Sequence, residues 1–159
     1  MGLPAFLAAI LALALALALA VPLPLVAATT ERVVVDPQSG LAIGGYDPVA
    51  YFTDGAARLG KPQFEQRAAG VIWRFQNRGN FAAFAEYPDI YMPRFGGYDP
   101  VAVARGVSVP GHPSFWMIVS ERLYLFYDAK ARAAFAADPG RIIAAANRKW
   151  PDVRRSLAP

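Results

Sequence analysis

The chain has 159 residues, with 16 Lys or Arg, 12 Asp or Glu and one His, which gives a net charge of +4. It contains no cysteine, and this excludes thiolate catalysis, iron–sulfur clusters and cysteine-type zinc sites. Most basic residues are arginines scattered singly along the chain. Nucleic-acid binding needs a clustered basic patch, so we expect no nucleic-acid partner.

The first segment is strongly apolar. Residues 3–28 include no charged side chain, and residues 11–20 alternate Leu and Ala without a break. Pro22 and Pro24 interrupt the run, and Val26-Ala27-Ala28 has the small residues that a signal peptidase reads. We predict that residues 1–28 are a cleaved signal peptide and that the protein is periplasmic or secreted. A retained membrane anchor is the alternative, because Met1 to Pro4 carries no Lys or Arg.

The remaining residues have the usual size of one domain. Residues 29–40 form a lead-in, in which Val33-Val34-Val35 is expected to make a short strand. A single domain is predicted over residues 41–151. Residues 152–159 are predicted to be a basic C-terminal tail.

The first structural unit is predicted to be a hairpin followed by a helix. Its strands cover residues 64–69 and 71–76, and the second strand alternates polar and apolar side chains, as a strand with one buried face does. Asn77 or Asn80 is suited to cap the helix that follows. Tyr87-Pro88 ends this helix.

The second unit has the same order. Strands are predicted at residues 115–119 and 123–127, with a turn at Ser120-Glu121-Arg122 between them. Asp128 is suited to cap a helix that runs to Ala137. The sequence Asp138-Pro139-Gly140 ends this helix, and a last helix is predicted over residues 141–149.

An internal repeat connects the two units. The heptapeptide Gly-Gly-Tyr-Asp-Pro-Val-Ala occurs at residues 44–50 and again at 96–102, and the residues that follow match at a constant offset of 51. We therefore predict an α+β fold built from two copies of one ββα unit, at about residues 44–95 and 96–150. Residues 62–88 are expected to superimpose on residues 113–139.

Over residues 41–151 the sequence resembles the YHS-domain family, in particular its exported bacterial branch. The resemblance is carried by several ordered blocks, which are Gly45 to Phe52, Trp73-Arg74-Phe75, Phe81 to Pro88, Phe95 to Tyr98, Trp116 to Val119, Leu123 to Leu125 and Trp150-Pro151. It implies a leader followed by a YHS-like domain. The broader family is suspected of binding metal through cysteine, and this branch is typified by Gly-Gly-Tyr-Cys at the second repeat. Here that position is Asp99, and a carboxylate favours oxygen-preferring ions over copper(I) or zinc.

Two turn pairs, Tyr46-Asp47 and Tyr98-Asp99, occupy equivalent positions of the repeat. If the two units pack with pseudo-symmetry, the carboxylates could share a proton or hold a cation. The candidate ligand-binding residues are Tyr46, Asp47, Tyr98, Asp99 and Trp150. The candidate metal ligands are Asp47, Asp99 and His112. The structural alternatives are that Asp before Pro accepts backbone N–H groups and that His112 is an exposed loop residue.

These observations favour an exported, non-enzymatic YHS-like module that binds a small ligand or a metal ion. One alternative is a membrane-anchored interaction protein that serves a larger oxidoreductase or another envelope partner. A small acid/base enzyme using Asp47, Asp99 or His112 is the second alternative. Arg148-Lys149 and Arg154-Arg155, which flank Trp150, form either a solvated surface or a contact for anionic lipid or an acidic partner.

Overall fold

The computed structural model describes residues 32–157, which form a mixed α/β structure with two antiparallel sheets of two strands each. The strands are β1 (Lys61–Ala68), β2 (Val71–Phe75), β3 (His112–Val119) and β4 (Arg122–Phe126). The helices are α1 (Ala50–Thr53), α2 (Arg78–Glu86), α3 (Pro88–Tyr91), α4 (Pro100–Val103), α5 (Ala129–Ala137) and α6 (Pro139–Ser156). Two 3₁₀ turns lie at Ile43–Gly45 and Arg94–Gly97.

The predicted signal peptide or anchor at residues 1–28 lies outside the described residues, as do residues 29–31 and the last two residues of the chain. Among the helices of residues 32–157, none combines the length and the apolar character needed to cross a membrane. Below, residues 41–93 are called the first half and residues 94–157 the second half.

Both predicted hairpins are confirmed. β1 pairs with β2, β3 pairs with β4, and in each case the first strand begins three residues earlier than predicted. The tight turns are Ala69-Gly70 and Ser120-Glu121, and all four residues have positive φ. Two consecutive residues with positive φ match the right-handed twist of the flanking strands, which explains the short connections.

The caps follow the local sequence. The Asn77 side chain accepts the Asn80 N–H at 2.9 Å, and the Asp128 side chain accepts the Ala131 N–H at 2.7 Å. Asn77 is therefore the cap of α2, whereas Asn80 lies inside the helix. Helix α2 ends at Glu86, and Pro88 begins the short helix α3.

The lead-in does not form the predicted strand. Val35 makes a single bridge to Ala42, while the Val34 N–H donates to Gly96 at 2.7 Å and the Val34 carbonyl accepts the Ile43 N–H at 2.8 Å. The segment contacts the first half on one side and the second half on the other. It connects the two halves and does not pair along either one.

The last helix is longer than predicted. Instead of covering residues 141–149, α6 begins at Pro139 and continues to Ser156, with Pro151 inside it. An internal proline removes a helical hydrogen bond. Val153 and Leu157 are nevertheless buried against the second half, and we attribute the continuation to this burial. Residues 152–156, predicted to be a tail, are therefore helical.

The buried side chains form two clusters, and β4 contributes to both. The first cluster includes Trp73, Phe75 and Phe84, and the second includes Tyr124, Phe126 and Phe135. Because side chains alternate along a strand, Leu123 and Leu125 enter the first cluster while Tyr124 and Phe126 enter the second. The hairpin β3–β4 thus lies between the two clusters.

Candidate functional site

Asp47 connects segments of the first half through a set of hydrogen bonds that we call the Asp47 clip. Its Oδ1 accepts the N–H groups of Val49 at 2.8 Å and Ala50 at 3.3 Å. Its Oδ2 accepts the Gln76 N–H at 2.7 Å and the side-chain amide of Asn80, also at 2.7 Å. The residue is 0% exposed. Four N–H donors therefore surround a fully buried carboxylate and join the heptapeptide turn to the end of β2 and to α2.

Asp99 makes a similar Asp99 clip in the second half. Its Oδ1 accepts the N–H groups of Val101 at 2.7 Å and Ala102 at 3.4 Å, and its Oδ2 accepts the Tyr127 N–H at 3.0 Å. Asp99 is 3% exposed. Its carboxylate has one donor fewer than that of Asp47, because among the described residues no side-chain amide reaches it.

A cavity of about 630 Å³ opens beside Asp99. Its lining combines apolar and charged residues, which are Asp99, Val101, Ala102, Arg105, Val109, Tyr127, Asp128, Lys130, Ala131 and Ala134. Tyr127 is 60% exposed. A mostly apolar cavity of this size with a few placed polar groups is typical of a site for a small organic molecule.

The structure does not bring all the predicted site residues together. The two aspartates accept from different donors, each within its own half, and share no donor among the described residues. Tyr46 lines a separate cavity of about 330 Å³ together with His112 and Asp36. Tyr98 and Trp150 are adjacent, with ring centroids 6.3 Å apart.

His112 is exposed at the start of β3. Its Nδ1 accepts the Ser114 N–H at 3.2 Å, and its ring lies 5.6 Å from that of Phe115. Within residues 32–157 there is no group of three or more His, Asp or Glu side chains arranged to hold a metal ion. The predicted metal ligands Asp47, Asp99 and His112 are accordingly not gathered into one three-ligand site.

Trp150 lies in a second concave region, which we call the arginine groove. Two cavities of about 440 and 490 Å³ share Asp89, Met92, Pro93 and Trp150 as walls. Four arginines line one or the other, namely Arg32, Arg94, Arg122 and Arg154. None of these four joins an ion pair within the described part of the chain, and Asp89 is the single carboxylate on the walls. The groove is therefore suited to an anionic group.

Tyr51 is a buried side chain that contacts residues of the second half. It is 1% exposed, its hydroxyl donates to the Pro113 carbonyl at 3.0 Å, and its ring meets Trp116 edge to face at 5.2 Å. Burial, with smaller effects from Tyr46 and Asp47, raises the pKa of Tyr51 well above its ordinary value. This side chain joins the first half to the start of β3.

Several residues of these regions were not singled out from the sequence. Around Asp99 they are Arg105, Tyr127, Lys130 and Ala131, and in the groove they are Arg32, Arg94 and Arg122. The arginines are far apart in sequence, and no local pattern indicates that they meet. Ala131 could have been found from the sequence, because the offset of 51 aligns it with Asn80.

Comparisons of the chain with protein-family models, with curated proteins and with solved structures gave no match.

Proposed function

We propose that this protein is an exported, YHS-like binding module that holds a small organic ligand in the cavity beside Asp99. The observation that carries the proposal is Asp99, a residue that is 3% exposed and lines a cavity of about 630 Å³. Three backbone N–H groups fix its orientation. A buried polar group held in place beside apolar walls gives a ligand both orientation and apolar contact.

The proposal includes a duplicated architecture. Each half carries the heptapeptide, a hairpin and a nine-residue helix in the same order. The constant sequence offset and the two carboxylate clips support one ββα unit used twice. A superposition of residues 62–88 on residues 113–139 tests this directly, and different strand and helix directions in the two segments would contradict it.

Binding has more support than acid/base catalysis. His112 is not among the residues that line the Asp99 cavity. Asp99 accepts three backbone N–H groups, and a general base needs a reacting proton within hydrogen-bond reach. The residues around Asp99 supply walls and charges, which are what a binding protein requires.

The binding proposal is tested by recording backbone amide spectra of the ¹⁵N-labelled protein against mixtures of small organic molecules. We expect some compounds to shift the amides of Asp99, Tyr127 and Ala131 together. Ala134→Trp fills the cavity and should abolish these shifts. Ala136→Trp is the matched control, because Ala136 is exposed on the same helix and does not line the cavity. A screen without any compound that moves these three amides would remove the proposed function.

Export is tested separately. Protein recovered from outside the cytoplasm should begin near residue 29, as determined by N-terminal sequencing. Exported protein that still begins at Met1 would replace the cleaved signal with the membrane anchor.

A second candidate function, recognition of an acidic protein partner, is favoured by the arginine groove. Arginine forms two parallel hydrogen bonds with a carboxylate, so several arginines around Trp150 suit an acidic peptide segment. A fluorescent oligoglutamate peptide should bind with an affinity that falls as salt is raised. Arg94→Glu combined with Arg122→Glu should abolish this binding, while Arg78→Glu, which lies outside the groove, should not. Equal binding by all three proteins would contradict this function.

A further inference from the structure

The two carboxylate clips differ at one decisive position. In the first half the Asn80 side-chain nitrogen donates to Asp47 Oδ2 at 2.7 Å. The residue at the same place in the sequence repeat, 51 positions later, is Ala131. A methyl group cannot donate a hydrogen bond, so Asp99 Oδ2 keeps only the Tyr127 N–H at 3.0 Å.

The space occupied by side chains in the first half is open in the second. Asn80 is 8% exposed and lies directly against Asp47, and Gln76 folds back so that its Nε2 donates to the Leu59 carbonyl at 2.6 Å. Tyr127, the counterpart of Gln76, is 60% exposed. The Asp99 cavity is lined by Ala131 and Tyr127. The residue that lacks the donor, Ala131, therefore lines the cavity.

We infer that the ligand of the Asp99 cavity carries a nitrogen donor, which takes the position on Asp99 Oδ2 that the Asn80 amide takes on Asp47. This inference rests on the proposed binding function and specifies its ligand class. A primary ammonium group fits best, because its hydrogen bond to a carboxylate is charge-assisted and about twice as strong as a neutral one. The ligand also neutralises a carboxylate whose other partners are uncharged N–H groups.

The other residues that line the cavity indicate the remaining chemical groups of the ligand. Val101, Val109 and Ala134 offer apolar contact. Arg105 and Lys130 add two positive charges, and Asp128 adds a negative one. A ligand with an ammonium group, a short aliphatic chain and a carboxylate uses all three kinds of wall. Small aliphatic amino acids are such ligands, and simple alkylamines use the ammonium and aliphatic parts alone.

Three probes with short aliphatic chains separate these contributions, namely norvaline, n-butylamine and n-butyrate. Titrations followed on the Asp99, Tyr127 and Ala131 amides should rank norvaline first and n-butylamine second. We expect n-butyrate, which carries no nitrogen donor, to bind at least tenfold more weakly than n-butylamine. Equal affinity of n-butyrate and n-butylamine for the cavity would overturn the inference and leave the binding function intact. If neither these probes nor the wider mixtures move those amides, the binding function itself fails.

Ala131→Asn supplies the missing amide from within the chain. It should weaken norvaline binding at least tenfold and raise the thermal unfolding midpoint of the ligand-free protein, because Asp99 gains its fourth donor. Ala131→Leu adds similar volume without a donor, so it should hinder binding without that rise. Ala133→Asn is the surface control on the same helix. Unchanged norvaline affinity in Ala131→Asn would contradict the inference.

Discussion

The Asp47 clip and the Asp99 clip begin with the same heptapeptide and end differently. Asp47 accepts four N–H groups and is 0% exposed, whereas Asp99 accepts three and lies beside a cavity of about 630 Å³. The difference arises at a single position, Asn80 in the first half and Ala131 in the second. One protein therefore contains a carboxylate with four N–H donors and, at the same place in the sequence repeat, a second carboxylate with three.

The comparison shows what distinguishes a structural aspartate from a candidate binding aspartate. Neither burial nor the turn sequence distinguishes them, because both residues are buried and both precede proline. The number of donors around the carboxylate does. Four predictions compare the two halves in ligand-free protein, and two of them change the carboxylates or their donors.

The largest effect is expected from removing the carboxylates. Asp47→Ala leaves several buried N–H groups without an acceptor and should lower the free energy of unfolding by about 4 kcal/mol. Asp99→Ala loses one hydrogen bond fewer and should cost about 3 kcal/mol. Urea unfolding of both variants measures the difference, with Asp54→Ala, an exposed aspartate, as the control. A larger cost at Asp99 than at Asp47 would contradict the proposed difference between the clips.

The glycines of the two heptapeptides should also differ. A Cβ on Gly96 would lie 1.9 Å from the Arg32 carbonyl oxygen, whereas the nearest atom to a Cβ on Gly44 is a ring carbon of Tyr46 at 3.8 Å. Both residues have positive φ, which alone disfavours alanine by about 1 kcal/mol. Gly44→Ala should cost about that much, and Gly96→Ala about 3 kcal/mol because the lead-in must move. Similar unfolding midpoints in urea would show that the lead-in yields without strain.

Exchanging the residues at the decisive position should change stability in opposite directions. Asn80→Ala removes a hydrogen bond to a charged group and should destabilise the protein by about 2 kcal/mol. Ala131→Asn should stabilise it by about 1 kcal/mol. Chemical unfolding of the two single variants and of the double variant measures both effects. Destabilisation by Ala131→Asn would show that the amide does not reach Asp99.

The smallest effect concerns Tyr51, whose counterpart in the second heptapeptide unit is Val103. Tyr51→Phe removes the hydrogen bond to Pro113 and should cost about 1 kcal/mol near neutral pH. Because burial raises the pKa of Tyr51 in the folded state, the unfolded chain releases this proton first. Stability therefore falls as the pH rises above the ordinary value of 10.0, and the variant should lack this part of the fall.

Unfolding measured between pH 8 and pH 11 separates the Tyr51 effect from that of other tyrosines. Tyr127→Phe is the matched control, since Tyr127 is 60% exposed. A wild-type protein and a Tyr51→Phe variant that lose stability in parallel above pH 10 would contradict the assignment.

The hairpins and helix caps could be predicted from the sequence because they depend on local chemistry. Alternation from Val71 to Gln76 matches β2, and the side chains of Asn77 and Asp128 reach N–H groups three residues away. The predictions of a strand at Val33–Val35 and of a last helix that ends at residue 149 were wrong, because local sequence does not determine these features. Both depend on distant partners, namely Gly96 for the lead-in and the second buried cluster for Val153.

The candidate site could be predicted only in part. The repeat identified Asp47 and Asp99 as equivalent, but only the donors two and three residues later are local to each aspartate. The others lie about 30 positions later, at Gln76 and Asn80 for Asp47 and at Tyr127 for Asp99. Their convergence is a property of the fold. The same holds for the arginine groove, whose residues span the chain from Arg32 to Arg154.

Strand β4 sends Leu123 and Leu125 to one cluster and Tyr124 and Phe126 to the other. Loss of order in either cluster removes the support on one side of this strand, so the two halves should melt in a single step even though each has its own hairpin. The amide hydrogens of β4 should exchange only with global unfolding. Occupation of the Asp99 cavity would consequently stabilise the first half as well, although no ligand atom touches it.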